Sequence, residues 1–290
     1  MTKTIRMKYG LSVNNMGDML NELIPRDLFG VNVEHVDNIY ESETTGIGSY
    51  LSDYFTSYES FTKYKRIREI AKRVKYFNNK SKFIRFWSTG FMQYSIGNER
   101  SIRPIKELEF SSVRGELSKQ RIEKLLGRKL DISTGDAGLL AAHLVSDVEK
   151  KYTVGVIPHF REQDEMIFKR AASYYPNAHW INLSDNPYSV IREIGECEVI
   201  ISSSLHGLIV ADSFGIPNIR VIKSNKMYGD GFKFDDYYSS FNVDSQKVYL
   251  TDNTNSLPSI DWIQEKYKIK RQDVQKKQIE IEKAFFKNLR

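Results

Sequence analysis

Apolar residues recur along this chain with two periods, and the alternation between them predicts an α/β protein. In the first half, "TIRMKY" (4–9), "VNVEHV" (31–36), "KFIRFW" (82–87) and "LEFSSV" (108–113) read as strands. Between them, "MGDMLNELIPRDLF" and "RGELSKQRIEKLLG" read as helices, the second closed by Gly127 in C-cap position. The stretch 41–80 follows neither period cleanly and is read as a loop leading into a basic helix around 62–77. The second half is more regular. "YTVGVIP" (152–158), "AHWINL" (178–183), "EVIISS" (198–203) and "NIRVI" (218–222) predict strands, with helices near 161–174, 186–195 and 205–214. The expected organisation is a domain over 1–150, a second, Rossmann-like domain over 151–259, and a charged helical tail over 260–290. Packing is the expected fate of the tail's apolar residues, with a membrane surface as the alternative for its lysines.

Composition adds limits. A 290-residue chain with 40% hydrophobic residues can fill the cores of two such domains. No apolar run has spanning length and the N-terminus has no apolar leader, so a cytoplasmic location is expected. Cys197 is the single cysteine and lies in an apolar strand, which excludes an internal disulfide and a cysteine-rich metal site. A net charge of +6 suits an anionic partner: nucleic acid, an anionic membrane surface or a phosphorylated substrate. Nucleic acid is not expected, because no zinc-finger, RNP-like or helix-turn-helix pattern is present.

The candidate chemistry sits at strand ends, where parallel sheets bind ligands and helix N-termini present unpaired amides. "SSSLHG" places Ser202, Ser203, Ser204 and His206 at such a junction; the plain alternative is a serine-rich cap with a histidine satisfying a backbone carbonyl. "NNMGDML" places Asn15, Gly17 and Asp18 at another, and "GIGS" (46–49) and "WSTGF" (87–91) supply further turns. "SVRGELS" puts Arg114 at a helix start, where a cation opposes the dipole, so an anion or a carboxylate should hold it. Asp136 in "TGDAGLL" and His159 in "IPHF" also follow strands.

Taken in order, Asn15 to Asp18, "GIGS", "WSTGF", "VRGELS", "GDAGLL", "VIPHF", "ISSSLHGLIVADSFGIP" (201–217) and "KFDDYYSS" (233–240) resemble the polysaccharide pyruvyl transferase family over about residues 10–241. The resemblance implies a GT-B-like architecture, with two Rossmann-like domains facing across a cleft and a C-terminal helix returning to the first. It implies transfer of the pyruvyl group of phosphoenolpyruvate onto two hydroxyls of a sugar, forming a cyclic ketal and releasing phosphate, in exopolysaccharide or capsule synthesis. On that basis His206 is the general acid or base, Asp18 orients or deprotonates the acceptor, and Arg114, Ser203, Ser204, Lys233 and His159 surround the donor. Some members carry an arginine two positions before the histidine where this chain has Ser204; Lys233 or Lys223 would replace that contact.

No cofactor and no metal are expected, phosphoenolpyruvate being a substrate. The acceptor is expected to be a sugar, with polyprenyl-pyrophosphate-linked sugar at the inner membrane face as one form. The basic run "KYKRIREIAKRVK" (63–75) would suit peripheral contact with anionic lipid or that pyrophosphate. Two other classes stay open: a GT-B-type glycosyltransferase using a nucleotide sugar, and a non-catalytic sugar- or anion-binding relative.

Overall fold

The computed structural model describes residues 3–11, 15–57, 64, 67–68, 71, 83–95, 97, 99–101, 107–223, 230–250, 257–287 and 289. Among these residues the chain forms two five-stranded parallel sheets. The first contains β1 (Thr4–Lys8), β2 (Asn32–His35), β3 (Thr44–Thr45), β4 (Phe83–Phe86) and β5 (Glu107–Phe110). The second contains β6 (Tyr152–Ile157), β7 (Ala178–Trp180), β8 (Cys197–Ser202), β9 (Asn218–Ile222) and β10 (Lys247–Tyr249). Both have the same spatial order, with the second strand outside the first and the third, fourth and fifth following on the other side. In sheets of this order the reversal lies between the first and third strands, and ligands bind beyond the carboxyl ends there.

Eight helices serve the argument: α1 (Met16–Leu23), α2 (Glu116–Leu126), α3 (Met166–Tyr174), α4 (Pro187–Gly195), α5 (Leu205–Ser213), α6 (Phe232–Ser239), α7 (Ile260–Lys266) and α8 (Arg271–Phe286). Each departure from the sequence expectation has a local cause. The first helix widens into a π-helical turn over Ile24–Leu28, where Pro25 supplies no amide for the regular ladder. The strand expected over 108–113 ends at Phe110, and Ser112–Val113 pairs separately with Ser133–Thr134. The tail divides into α7 and α8 because the connection between them is extended at Tyr267, whose hydroxyl donates to buried Asp212. The basic helix expected around 62–77 lies almost wholly outside the described residues.

One apolar core runs from Met7, Met16 and Leu20 of the first half through Ile157, Ile200 and Leu208 of the second to Ile281 and Phe285 of α8. Helix α8 therefore packs on protein, as its apolar residues predict. Trp87 Nε1 donates to the Ile281 carbonyl at 3.0 Å, and the Phe285 ring lies 4.8 Å from Trp87 and 4.7 Å from Phe29. The two halves are also joined by backbone: the Met16 amide donates to the Leu183 carbonyl at 2.8 Å. This shared core fixes the start of α1 relative to α5. No helix among the described residues is long and apolar enough to cross a membrane.

Candidate functional site

The reversal point of each sheet contributes one side of the site. After β1 the chain passes Gly10 and turns into α1, with Asn15 extended and its side chain accepting from the Gly17 amide at 3.1 Å. This cap sets Asp18 in the first helical turn. The Tyr50 hydroxyl donates to Asp18 Oδ1 at 3.4 Å and accepts from the Gly10 amide at 2.7 Å. Burial pushes the Asp18 carboxyl up to about 6, against the opposing pull of Tyr50 and Lys233.

The other side comes from β6 and β8. Ser202 Oγ donates to the Ile157 carbonyl at 2.9 Å and accepts from the Ser204 amide at 2.9 Å. Ser203 Oγ accepts from the His159 amide at 2.8 Å. Ser202 and Ser203 thus lock the two strand ends together. Ser204 holds the N-cap position of α5 without a side-chain cap bond, and His206 follows in the first turn. The Nε2 atom of His206 is buried and has no hydrogen-bond partner, so this ring nitrogen does not satisfy a backbone carbonyl.

His206 packs against Gly17, the point where the halves meet. A Cβ built on Gly17 would overlap the imidazole, so any side chain there would displace the ring. Burial, then Lys233, Arg114 and His159, lower the His206 pKa to about 3. His159 is lowered to about 4 by burial, Lys233 and Arg161. Lys233, near the start of α6, is lowered to about 8 by burial and by Arg114 and Arg220, while Asp18 and Glu162 favour its charge. The residues brought together are therefore two neutral imidazoles, an ammonium, buried guanidinium charge, and the carboxylates of Asp18 and Glu162. Such a cluster lowers the cost of placing a compact anion beside His206.

Arg114 is held by a carboxylate, one of the two partners its place at a helix start predicts. Its Nε donates to Asp236 Oδ2 at 3.0 Å, Nη1 to Ser49 Oγ at 2.8 Å and Nη2 to the Phe91 carbonyl at 2.5 Å. Its side chain is 1% exposed. Gly90 leaves the space it fills, since a Cβ there would meet Nη2 and Cζ. Asp236 also accepts from the Ser118 amide and hydroxyl, each at 2.7 Å. "GIGS", "WSTGF", "VRGELS" and "KFDDYYSS" thus converge on one buried ion pair, through which Arg114 reaches the site by its field. Asp136 caps the 3-10 helix Ala137–Leu144, accepting from the Gly138 amide at 2.9 Å.

Several contributors escaped sequence reasoning. Tyr50 lies in the segment with no clear period. Asp236 was visible inside "KFDDYYSS" but had no assigned partner. Glu162 and Arg220 looked like ordinary charges in a helix and a strand, yet are 1% and 5% exposed. A charge at the centre of "NIRVI" was the available signal for Arg220.

These features can be set beside known proteins. The chain is 28% identical over 165 residues to uncharacterized protein L143 of Acanthamoeba polyphaga mimivirus, covering 54% of this chain and 57% of that one. It is 26% identical over 140 residues to the succinoglycan biosynthesis protein ExoV of Rhizobium meliloti (strain 1021), covering 48% and 42%. The chain thus spans about half the length of the curated relatives it matches. A solved structure of a functionally uncharacterized Klebsiella pneumoniae protein aligns with a TM-score of 0.47 and 16% identity, over 86% of this chain and 93% of that one. The polysaccharide pyruvyl transferase family model matches residues 15–225, from the cap residue Asn15, through the buried Arg114 and the His206 turn, to just beyond β9. With the family's model spanning both sides of the site, this chain belongs to the polysaccharide pyruvyl transferase family.

Proposed function

We propose that the protein transfers the pyruvyl group of phosphoenolpyruvate to two hydroxyls of a sugar in polysaccharide synthesis, forming a cyclic ketal. The observation that carries this reading is the unpartnered Nε2 of His206, on an imidazole within the field of Lys233, Arg114 and His159 and packed against Gly17 of the turn that holds Asp18. Phosphoenolpyruvate offers the cations a phosphate and a carboxylate. Burial first, and then the positive field, keep His206 neutral; the arriving anion offsets the field and favours the charged ring, so the imidazole gains a proton as the donor binds.

The protonated His206 delivers that proton to the methylene carbon of phosphoenolpyruvate, leaving oxocarbenium character at the central carbon. One sugar hydroxyl attacks this carbon as Asp18, ionised above about pH 6, takes its proton. The carbon–oxygen bond to phosphate then breaks, phosphate leaves with the electron pair, and the second hydroxyl closes the ring, its proton passing to the departing phosphate, while the proton held by Asp18 replaces, through solvent, the one His206 gave. The atoms balance: donor and diol give ketal and inorganic phosphate. Lys233 and the Arg114 field stabilise the departing phosphate. The two sheets act as the halves of a GT-B-like cleft in this reading, and the acceptor, lipid-linked sugar included, enters from the Asp18 side.

The test is phosphate release from phosphoenolpyruvate in the presence of candidate acceptor sugars, with the ketal methyl group followed by NMR. Acceptor-dependent release with a new ketal methyl signal supports the reading. Binding and turnover of a nucleotide sugar, with phosphoenolpyruvate inert, would replace it with glycosyl transfer.

A further inference from the structure

Three arginines are buried among the described residues, and their surroundings differ: Arg85 reaches the Glu109 carboxylate at 3.5 Å. Arg114 has Asp236, Ser49 and the Phe91 carbonyl around its guanidinium. Arg220, on β9, is 5% exposed, and its Nε is buried without a hydrogen-bond partner. No carboxylate among the described residues lies within ion-pair distance of it; Asp235 and Glu162 act on it only at longer range. Removing a guanidinium from water is costly unless it is paired. The guanidinium lies over the Phe234 ring, whose centroid is 3.6 Å from Cζ. A cation–π contact engages the face of the guanidinium and leaves the in-plane Nε donor without an acceptor. The Phe234 face therefore orients the guanidinium without satisfying it.

The fold places this group at the same edge as the histidine. Arg220 is in register with Ser202 on the neighbouring strand β8, and Ser202 in turn with Ile157 of β6. Its Nη2 would lie 3.5 Å from a Cβ on Gly231, the N-cap residue of α6, so the guanidinium stands beside that helix start. Lys233, two residues on, feels Arg220 as a like charge. Two cations held together at a helix N-terminus repel each other, and a bound anion relieves both that repulsion and the missing hydrogen bonds.

We propose that Arg220 is an anion-binding residue of the donor site, its planar fork receiving a carboxylate or phosphate of phosphoenolpyruvate beside Lys233. It takes the place of the contact left open by Ser204, reaching the strand-end edge from β9 instead of from the turn before His206. This assignment rests on the donor reading above, and the experiment separates the two.

Phosphoenolpyruvate and, separately, inorganic phosphate are titrated into wild type, Arg220→Gln and Arg220→Lys by calorimetry at low salt, with melting temperature followed with and without each anion. The expected result is at least tenfold weaker phosphoenolpyruvate binding in Arg220→Gln. The lysine variant should be intermediate, because an ammonium keeps the charge and loses the fork. In turnover the KM for phosphoenolpyruvate rises at least tenfold, while the KM for the acceptor stays within twofold. Wild-type binding of phosphoenolpyruvate retained in full by both variants overturns the role of Arg220 and leaves the donor reading standing. Wild-type binding of phosphate but not phosphoenolpyruvate, lost in Arg220→Gln, upholds the anion site and overturns the donor reading. Failure of the wild type to bind either anion overturns the inference. Should Arg220→Gln fold poorly, Arg220→Lys alone decides: an unchanged fork-dependent affinity in a protein that melts normally overturns it.

Discussion

Gly17 lies against the imidazole of His206 so closely that a Cβ on the glycine would overlap the ring. The contact joins the turn after β1 to the turn after β8, and it ties the position of the unpartnered histidine nitrogen to the backbone of the other half. Gly17→Ala should therefore displace His206 while leaving both sheets formed. Under the proposed chemistry, turnover falls by two orders of magnitude or more, as expected when a reacting group is misplaced by about 1 Å. Melting temperature and phosphate-release rate, measured on the same preparation, check it: equal loss of fold and activity would assign Gly17 a merely structural role.

Under the proposed chemistry, Asp18 sets the pH dependence. Its carboxyl is raised to about 6 chiefly by burial, and the Tyr50 hydroxyl holds it from rising further. If Asp18 accepts the acceptor's proton, kcat/KM for the acceptor climbs as pH rises through 6, because only the ionised form is a base. Tyr50→Phe removes a hydrogen bond to that ionised form, so the acidic limb should move to higher pH. Asp18→Asn should flatten the limb and lower kcat by about a hundredfold or more. A limb unmoved by Tyr50→Phe would show that another group titrates there.

The Arg114–Asp236 pair predicts a stability effect with a particular pattern. Either partner removed alone leaves an uncompensated buried charge, so Asp236→Ala should cost about 3–5 kcal/mol in urea unfolding. Replacing both, Arg114→Met with Asp236→Leu, should recover much of that loss because two charges no longer need to be desolvated. Additive losses in the double variant would mean that the pair contributes through Ser49, Phe91 and Ser118 separately instead of as a unit.

What was readable in the sequence, and what was not, follows from the range of the interactions. Strands such as "YTVGVIP" and the Gly127 cap depend on local pattern, and they appear within a residue or two of the expected bounds. The motifs at strand ends were also legible as a set. Their partners were not: Arg114 meets Asp236 across 122 positions of sequence, and Trp87 meets Ile281 across 194. The serines of "SSSLHG" looked like free donors; two of them are engaged in closing β6 onto β8, a pairing only the sheet register reveals. Arg220 read as a strand residue; the charge inside "NIRVI" was a local signal, but its partner Phe234 lies in a separate helix that no local pattern ties to it.

Asp212, fully buried on α5, gives a prediction that needs no substrate. It accepts from Tyr237 at 2.7 Å, Tyr267 at 2.9 Å and Asn218 at 2.6 Å, tying α5 to α6, β9 and the connection before α8. Despite these three donors, burial pushes its carboxyl up from 3.8 to about 7. The folded state therefore binds the proton more tightly than the unfolded chain does. The resulting stability is fully present below about pH 4 and is lost as pH rises toward 7, above which the fold carries a buried carboxylate. Asp212→Asn keeps the shape and can donate to the Tyr237 oxygen while still accepting from Asn218 and Tyr267. It should thus match the wild type near pH 4 and exceed it by about 2–4 kcal/mol at pH 8, the span that a shift of this size allows. Urea unfolding of both proteins from pH 4 to 8 measures the difference. Parallel curves across that range would show that the three donors hold Asp212 ionised throughout, with hydrogen bonding outweighing desolvation at this position.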